Sequence, residues 1–230
     1  VFPNSPAARA NLKPGDRFLD IGCGSGQTMG WFASQFGSWR TIGCDISGEA
    51  VTAASRLGYE VAQASALALP YPSALADVII SLDVLQHVPL DGGDVIALRE
   101  MRRVLKPGGW LFVRTNAQSF PYTPDDYEYQ FHRYGPAELR AKLTAAGFVV
   151  RRLSRVNALL GLAEIPREMR ARRAQASDYH GILATPNGRA SWTSAAKRAW
   201  VRLEGRAVRH GVRLPAGRTI VALCTTATAR

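Results

Sequence analysis

The chain has 230 residues, 47% of them hydrophobic, with a net charge of +11 and a mean hydropathy of −0.09. This length and composition are typical of a soluble globular protein, most simply one domain with an elaboration. No apolar run approaches the roughly 18 residues of a membrane span, and the first residues lack the pattern of a signal peptide.

Apolar runs alternate with helix-like stretches over the first two thirds of the chain. The apolar runs predict strands at 17–21, 39–44, 78–82 and 110–115, with a short fragment at 59–63. The residues between them predict helices at about 27–36, 48–57, 91–105 and 136–146. This alternation is typical of βαβ units, and the near-continuous apolar strands indicate a parallel sheet that is covered on both faces.

The first predicted strand ends in a glycine-rich turn, which is the strongest signal in the chain. Residues 18–26 are Phe-Leu-Asp-Ile-Gly-Cys-Gly-Ser-Gly, so the carboxylate of Asp20 precedes glycines at every second position. Such a turn lets a ligand approach the backbone closely. The spacing is G-x-G-x-G and not the dinucleotide-binding G-x-G-x-x-G, because Gln27 occupies the place of that fingerprint's third glycine.

Polar residues also follow the ends of the other predicted strands. Asp45 ends the second strand, residues 81–83 end the fourth and Asn116 ends the fifth. In an open parallel sheet these ends meet at one crevice, which is the usual ligand site. A carboxylate at the second strand can accept both hydroxyls of a ribose, and Asp20 can hold the turn or meet an ammonium group. A ligand with a ribose and a cationic amino-acid end, but no pyrophosphate, therefore fits better than NAD.

The last third of the chain differs in charge and in pattern. Residues 1–150 carry 13 Lys and Arg against 14 Asp and Glu, a balance of −1, whereas residues 151–230 carry 16 against 4, a balance of +12. After an apolar stretch at 148–153, a long arginine-rich region with helical pattern precedes a last strand at 219–225.

An amphipathic basic helix is predicted within this region. One face holds apolar residues, namely Trp192, Ala196, Trp200, Leu203 and Ala207, and another holds Arg198, Arg202, Arg206 and Arg209. An ordinary surface helix with its apolar stripe on the core would have this pattern. A membrane surface, an acidic partner and a lid over a ligand are the alternatives.

Cysteine and histidine usage predicts no metal site. Cys23, Cys44 and Cys224 lie in apolar, strand-like contexts, which is typical of buried thiols in a reducing compartment, so we expect a cytoplasmic protein. The chain has no C-x-x-C pair, and its four histidines are too scattered to suggest zinc.

With these motifs in place, the chain resembles the class I S-adenosylmethionine-dependent methyltransferases over about residues 15–155. Its motifs are most similar to the small-molecule branch that includes ubiquinone- and menaquinone-type methyltransferases. The motifs that match in register are residues 19–26 (Leu-Asp-Ile-Gly-Cys-Gly-Ser-Gly), 43–47 (Gly-Cys-Asp-Ile-Ser), 69–72, 76–79 and 84–88 around the fourth strand, and 100–109 before the fifth.

The resemblance implies a Rossmann-like, doubly wound α/β fold. Its mostly parallel sheet would have seven strands, the last of them antiparallel, with a helical insertion between strands six and seven. One methyltransferase domain would then cover 1–230. It would comprise a cofactor-binding core over about 12–155, a basic helical insertion or lid over about 156–215 and a last strand over about 218–226.

The resemblance also implies S-adenosylmethionine as the cofactor, with S-adenosylhomocysteine as its product. Ser65 stands where the family often has an aspartate that accepts from the adenine amino group, so weaker cofactor binding is expected there because a neutral hydroxyl loses the charge assistance. The residues expected at the cofactor are Asp20, Gly22, Cys23, Gly24, Gly26, Asp45, Ile46, Ser65, Ala66 and Ser81.

Two histidines are candidates for catalysis. Methyl transfer mainly needs alignment of the acceptor with the sulfonium, and a general base is needed only for a hydroxyl acceptor. His87 lies just past strand four and titrates near neutral pH, although it would also fit a packing or capping role. His132 lies among the aromatic residues of 120–134, which would line an acceptor pocket or pack their loop against the core.

The favoured function is methyl transfer from S-adenosylmethionine to a small molecule, with oxygen as the favoured acceptor atom. A nucleic-acid methyltransferase that grips phosphates through the basic third is the first alternative. It is disfavoured because an Asn-Pro-Pro-Tyr type of motif and a recognisable RNA-binding module are both missing. A non-catalytic cofactor-binding protein, or a peripheral membrane protein anchored by Trp192 and Trp200, is the second.

Overall fold

The computed structural model describes residues 15–37, 39–118, 132–158, 192–212, 214 and 216–227. Its seven strands are β1 (Arg17–Ile21), β2 (Arg40–Asp45), β3 (Glu60–Gln63), β4 (Ala76–Leu82), β5 (Leu105–Asn116), β6 (Val149–Val156) and β7 (Thr219–Thr225). Its α-helices are α1 (Gln27–Gln35), α2 (Gly48–Arg56), α3 (Gly93–Val104), α4 (Pro136–Ala145) and α5 (Trp192–Arg209), and a 3₁₀ turn covers Leu85–His87.

The strands form one sheet in the order β3-β2-β1-β4-β5-β7-β6. All neighbours pair in parallel except β7, which is antiparallel to both β5 and β6. The order reverses between β1 and β4, and a ligand crevice opens at such a switch point. The predicted Rossmann-like sheet with an antiparallel last strand is confirmed, and α5 lies between β6 and β7 in the chain, as the predicted insertion requires.

Helices cover both faces of the sheet, as the apolar strands predict. Side chains alternate along each strand, so Leu19 and Ile79 face a core that includes Leu98 of α3 and Leu139 of α4. Phe18, one residue earlier, contributes to the smaller cluster on the opposite face, where it stacks on Phe32 of α1.

The predicted start of β5 was wrong by five residues. Residues 106–109 were expected as a turn before the strand, but Leu105 already pairs with Ala76 of β4. The register then shifts before Val78 pairs with Trp110, so the four residues form an irregularity inside the strand. The ammonium of Lys106 anchors this irregularity by donating to the Asp77 carboxylate at 2.7 Å.

Helix α5 packs on β6 with a face that differs from the predicted apolar one. An apolar stripe on the core, one of the alternatives left open by the sequence, would bury Leu203, but 55% of Leu203 is exposed, whereas Glu204 is only 4% exposed. The Glu204 carboxylate accepts from the backbone N–H groups of Asn157 at 2.8 Å and Ala158 at 2.9 Å, just past the end of β6. It also accepts from the indole of half-buried Trp200. These hydrogen bonds hold the Glu204 side chain on the side of the helix that faces β6. Leu203, one residue earlier, therefore faces away from the sheet. The predicted placement of the Trp192 and Ala196 side chains lies outside the described residues.

The backbone at Gly217, just before β7, lies very close to the backbone at the end of β6. An added Cβ would lie 2.3 Å from the Val156 carbonyl oxygen, and the residue has φ +147°. Gly211 is also left-handed, at φ +92°, but an added Cβ there meets nothing within 4 Å. We expect Gly217→Ala to lower the free energy of unfolding by about 3 kcal/mol or more and Gly211→Ala by about 1 kcal/mol, measured by chemical denaturation. Equal losses would contradict the backbone contact.

Candidate functional site

The glycine turn after β1 is tied to the end of β2 by its own backbone. The N–H groups of Gly22 and Cys23 both donate to the Cys44 carbonyl, at 2.8 and 3.0 Å. Gly22 has φ +75°, and a Cβ there would lie 2.2 Å from a methyl of Val84. Gly24 has φ +53° with open space on its Cβ side, so a ligand can approach this backbone closely. The third glycine, Gly26, begins α1 in a left-handed conformation.

Asp45 is held at the crevice by two backbone donors. Its Oδ2 accepts from the N–H of Gly24 at 2.8 Å, and its Oδ1 accepts from the N–H of Ser47 at 2.9 Å. Each carboxylate oxygen keeps a second lone pair, so the group can still accept from a diol. The next side chain, Ile46, is 72% exposed beside it and offers an apolar surface at the same edge.

Asp20 is a buried carboxyl at the end of β1. It is 1% exposed, and its Oδ2 has no hydrogen-bond partner among the described residues. Burial, and then the Asp45 carboxylate, raise the pKa of Asp20 from 3.8 to about 7. The hydroxyl of Ser81, across from Ile21 on β4, is likewise buried without a described partner. Buried polar atoms of this kind indicate groups that a ligand can satisfy.

Ser65 and Ala66 follow β3 on the other side of Asp45. The backbone N–H of Ala64 donates to the Asp45 carbonyl at 2.9 Å and ties this segment to β2. The Ser65 hydroxyl accepts from the N–H of Leu67 at 3.2 Å and is half-buried, so it retains its own proton to donate.

Cys23 contributes shape and apolar surface to the turn. It is 6% exposed, and burial first, then Asp20 and Asp45, raise the pKa of its thiol to about 12. The thiol is therefore neutral near pH 7, and a nucleophilic role does not fit it.

His87 ends the 3₁₀ turn that follows β4. The ring is exposed at the crevice, with Nε2 3.5 Å from the Gln86 side-chain nitrogen. Partial burial lowers the pKa of His87, and the nearby Asp83 carboxylate opposes that shift. Asp83 itself has φ +59° and forms an ion pair with Arg114 of β5, so its carboxylate is engaged in this pair.

His132 forms hydrogen bonds to its protein neighbours through both its backbone and its ring. Its backbone N–H donates to the Gln86 carbonyl at 2.9 Å, and its Nε2 lies 2.8 Å from a carboxylate oxygen of Glu138. The ring also meets Tyr134 edge-on, with centroids 4.2 Å apart. Tyr134 is 1% exposed and donates to the Leu85 carbonyl, so the side chain of this tyrosine is part of the core. The other aromatic residues predicted for the acceptor pocket lie outside the described residues.

Gln86 is a site residue that sequence reasoning missed. Its buried side-chain oxygen accepts from the Thr115 hydroxyl at 3.2 Å and from the Asn116 N–H at 3.0 Å. Together with its carbonyl bond to His132, it joins the ends of β4 and β5 to the segment that leaves the aromatic loop. A single polar residue beside a candidate histidine offers no periodicity or spacing that would have identified it.

Comparison with known proteins finds similarity to methyltransferases over about half of the chain. Residues 19–113 match the model of the methyltransferase domain. The chain is 38% identical over 112 residues to a tRNA (carboxymethyluridine(34)-5-O)-methyltransferase of Arabidopsis thaliana, covering 49% of this chain and 27% of the relative. It is 33% identical over 129 residues to a ubiquinone biosynthesis O-methyltransferase of Burkholderia vietnamiensis, covering 50% and 52%. Residues 19–113 therefore carry a methyltransferase domain, which is similar to the domains of S-adenosylmethionine-dependent methyltransferases.

The fold comparison agrees with this domain. An S-adenosylmethionine-dependent methyltransferase of Methanosarcina mazei superposes with a TM-score of 0.61 at 18% identity, covering 99% of this chain and all of that one. The chain spans about a quarter of the length of the tRNA methyltransferase relatives that it matches.

The methyltransferase domain offers residues that fit S-adenosylmethionine. Asp45 could accept from the hydroxyls of a ribose, the open side of Gly24 would leave room for the ligand, and the unpartnered Asp20 oxygen could accept from an ammonium group. No cluster of three or more metal-ligating side chains occurs in the described ranges.

The raised pKa of Asp20 predicts a pH-dependent stability in the ligand-free protein. Because the folded pKa is above the unfolded value of 3.8, the stabilisation from protonated Asp20 is complete below about pH 4 and is lost as pH rises to about 7. We expect Asp20→Asn, which cannot ionise, to be more stable than wild type above pH 7 by roughly 4 kcal/mol, with the difference vanishing near pH 4.

Denaturation with urea from pH 4 to 8 measures this difference. Asp91→Asn removes an exposed carboxylate and serves as the matched control, for which we expect parallel curves. Curves for Asp20→Asn that also stay parallel to wild type would refute the assignment.

Proposed function

We propose that this chain transfers the methyl group of S-adenosylmethionine to an oxygen atom of a small-molecule acceptor. The observation that carries the proposal is the pairing of a backbone-fixed Asp45 with an unpartnered, buried Asp20 at the two strand ends that flank the glycine turn. The names of the relatives support oxygen, since both the tRNA enzyme and the ubiquinone enzyme are O-methyltransferases.

The chain's own residues would bind and orient the two reactants. A sulfonium supplies an electrophilic methyl group and leaves as a neutral thioether, so no residue has to form a covalent intermediate. Asp45 would hold the ribose through two charge-assisted hydrogen bonds, and an ionised Asp20 would hold the ammonium end. Ile46 would cover the adenine, with Ser65 and Ala66 at its edge. This fixes the direction from which the acceptor oxygen must attack.

His87 is proposed as the base for acceptors that must lose a proton. It is the one candidate histidine that lies exposed at the crevice, whereas His132 is bonded to Glu138. Its lowered pKa keeps the imidazole neutral near pH 7, so it can accept the hydroxyl proton as the oxygen attacks. We propose His132 as a residue that shapes the acceptor pocket, next to Tyr134.

A tRNA acceptor is the second candidate. Its support is the group of tRNA methyltransferases among the relatives, together with the balance of +12 over residues 151–230. A gel shift with tRNA at physiological salt separates the two candidates, because an RNA enzyme retains its substrate through phosphate contacts.

Calorimetric titration with S-adenosylhomocysteine tests the cofactor site. We expect binding by wild type, about 100-fold weaker binding by Asp45→Ala and about tenfold weaker binding by Asp45→Asn. The asparagine keeps one acceptor but loses the charge. Glu49→Gln removes a nearby exposed carboxylate and should bind like wild type. Absence of wild-type binding, or equal affinity of Asp45→Ala, would refute the proposal.

Release of S-adenosylhomocysteine with a panel of phenols, alcohols and carboxylic acids tests the reaction. With a hydroxyl acceptor, we expect His87→Asn to lower kcat by about 100-fold or more while leaving S-adenosylhomocysteine affinity unchanged. Loss of activity at acid pH should follow protonation of His87. His210→Asn, at an exposed position, is the control. An unchanged kcat for His87→Asn would remove the base from the mechanism.

A further inference from the structure

The outer side of α5 is a charged surface that the proposed methyl transfer does not use. Arg202 and Arg206 are exposed there, and both point away from the inward face that holds Glu204 and Trp200. Glu204 is the only acidic residue in the helix, and its carboxylate accepts hydrogen bonds from the backbone at the end of β6. The outward charge of the described part of α5 is therefore entirely positive.

Two exposed apolar side chains accompany these arginines. Leu203 is 55% exposed between Arg202 and Arg206, and Val212 is 50% exposed just after the helix. On the inward side of the helix, the exposed Arg152 of β6 donates to the Val208 carbonyl at 2.7 Å and so holds α5 against the strand. We define the basic apolar surface as Arg202, Leu203, Arg206 and Val212.

We propose that this basic apolar surface binds the surface of an anionic lipid bilayer. Arginines attract anionic headgroups, while exposed aliphatic side chains can enter the boundary between headgroups and acyl chains. The exposed apolar side chains of this surface are aliphatic, whereas a single-stranded nucleic acid stacks on aromatic side chains, so lipid fits the surface better than RNA. No described helix is long and apolar enough to cross a bilayer, so the contact is peripheral.

The position of the surface relates it to the cofactor crevice. Strand β6 runs parallel to β4, because both of the pairings through β7 are antiparallel, so its carboxyl end lies at the edge where Asp20 and Asp45 lie. Glu204 contacts the backbone just past that end, and Val208 lies further back along the strand. The start of the basic apolar surface, at Arg202, therefore lies toward the carboxyl edge of the sheet, and its end, at Val212, lies away from that edge. This inference does not depend on which acceptor is methylated.

Cosedimentation of the full chain with vesicles tests the proposal. The vesicles contain equal parts of phosphatidylglycerol and phosphatidylcholine, with pure phosphatidylcholine as the uncharged comparison. We expect binding to the anionic vesicles that weakens as salt is raised. Arg202→Gln/Arg206→Gln should bind about 25-fold more weakly, from about fivefold per arginine, and Leu203→Gln about tenfold more weakly.

A matched double variant separates this surface from general charge attraction. Arg56→Gln/Arg99→Gln removes two exposed arginines elsewhere and should bind like wild type. Equal loss in both double variants would overturn the proposal, as would unchanged binding by Leu203→Gln or equal binding to neutral vesicles. Displacement of the vesicles by tRNA at physiological salt, with tRNA affinity lowered by Arg202→Gln/Arg206→Gln, would assign the surface to RNA. Thermal melting confirms that each variant is folded, and titration with S-adenosylhomocysteine reports separately on the proposed function.

Discussion

The carboxyl ends of β1 and β2 are joined by three hydrogen bonds, a fourth holds Asp45 from its own side, and the rest of the site depends on these four bonds. The Cys44 carbonyl accepts hydrogen bonds from two N–H groups of the glycine turn, and the Asp45 carboxylate accepts a third from the N–H of Gly24. The fourth runs from the N–H of Ser47 to the same carboxylate and begins α2. These bonds fix Asp45 before any ligand arrives, so little conformational entropy remains to be lost on binding.

The buried Asp20 carboxyl lowers the stability of the ligand-free protein when it ionises. A buried carboxyl with an unpartnered oxygen disfavours its own ionisation, and the fixed Asp45 charge adds to that effect. The ammonium end of the proposed ligand would offset both effects, because it would supply the positive charge and the hydrogen-bond donors that the Asp20 carboxylate lacks. Ligand binding would then be coupled to proton release from Asp20 near neutral pH. Such coupling is typical of groups placed for binding more than for stability.

The parts of this fold that have a strong local signature were predictable from the sequence. Strand β1, the glycine turn and Asp45 were all identified, because apolar runs and glycine spacing encode backbone geometry directly. The start of β5 was not, because residues 106–109 resemble a turn and only the pairing of Leu105 with Ala76 draws them into the strand. Gln86 was missed for a related reason. Its role depends on Thr115 and Asn116, which lie about thirty residues away in the chain.

Glu204 explains both why Leu203 lies outside the core and why the outer surface of α5 is positively charged. A periodicity argument assigns an acid in a basic amphipathic helix to solvent, and Leu203 to the core. In the structure the positions of these two side chains are reversed. Glu204 faces the sheet because it accepts from two backbone N–H groups at the end of β6 and from the indole of Trp200. Without this carboxylate the three donors would lose these hydrogen bonds. The inward carboxylate fastens the insertion to the sheet and removes the only negative charge from the outer side of α5. One buried hydrogen-bond acceptor thus sets both how α5 packs and which kind of partner its surface can attract.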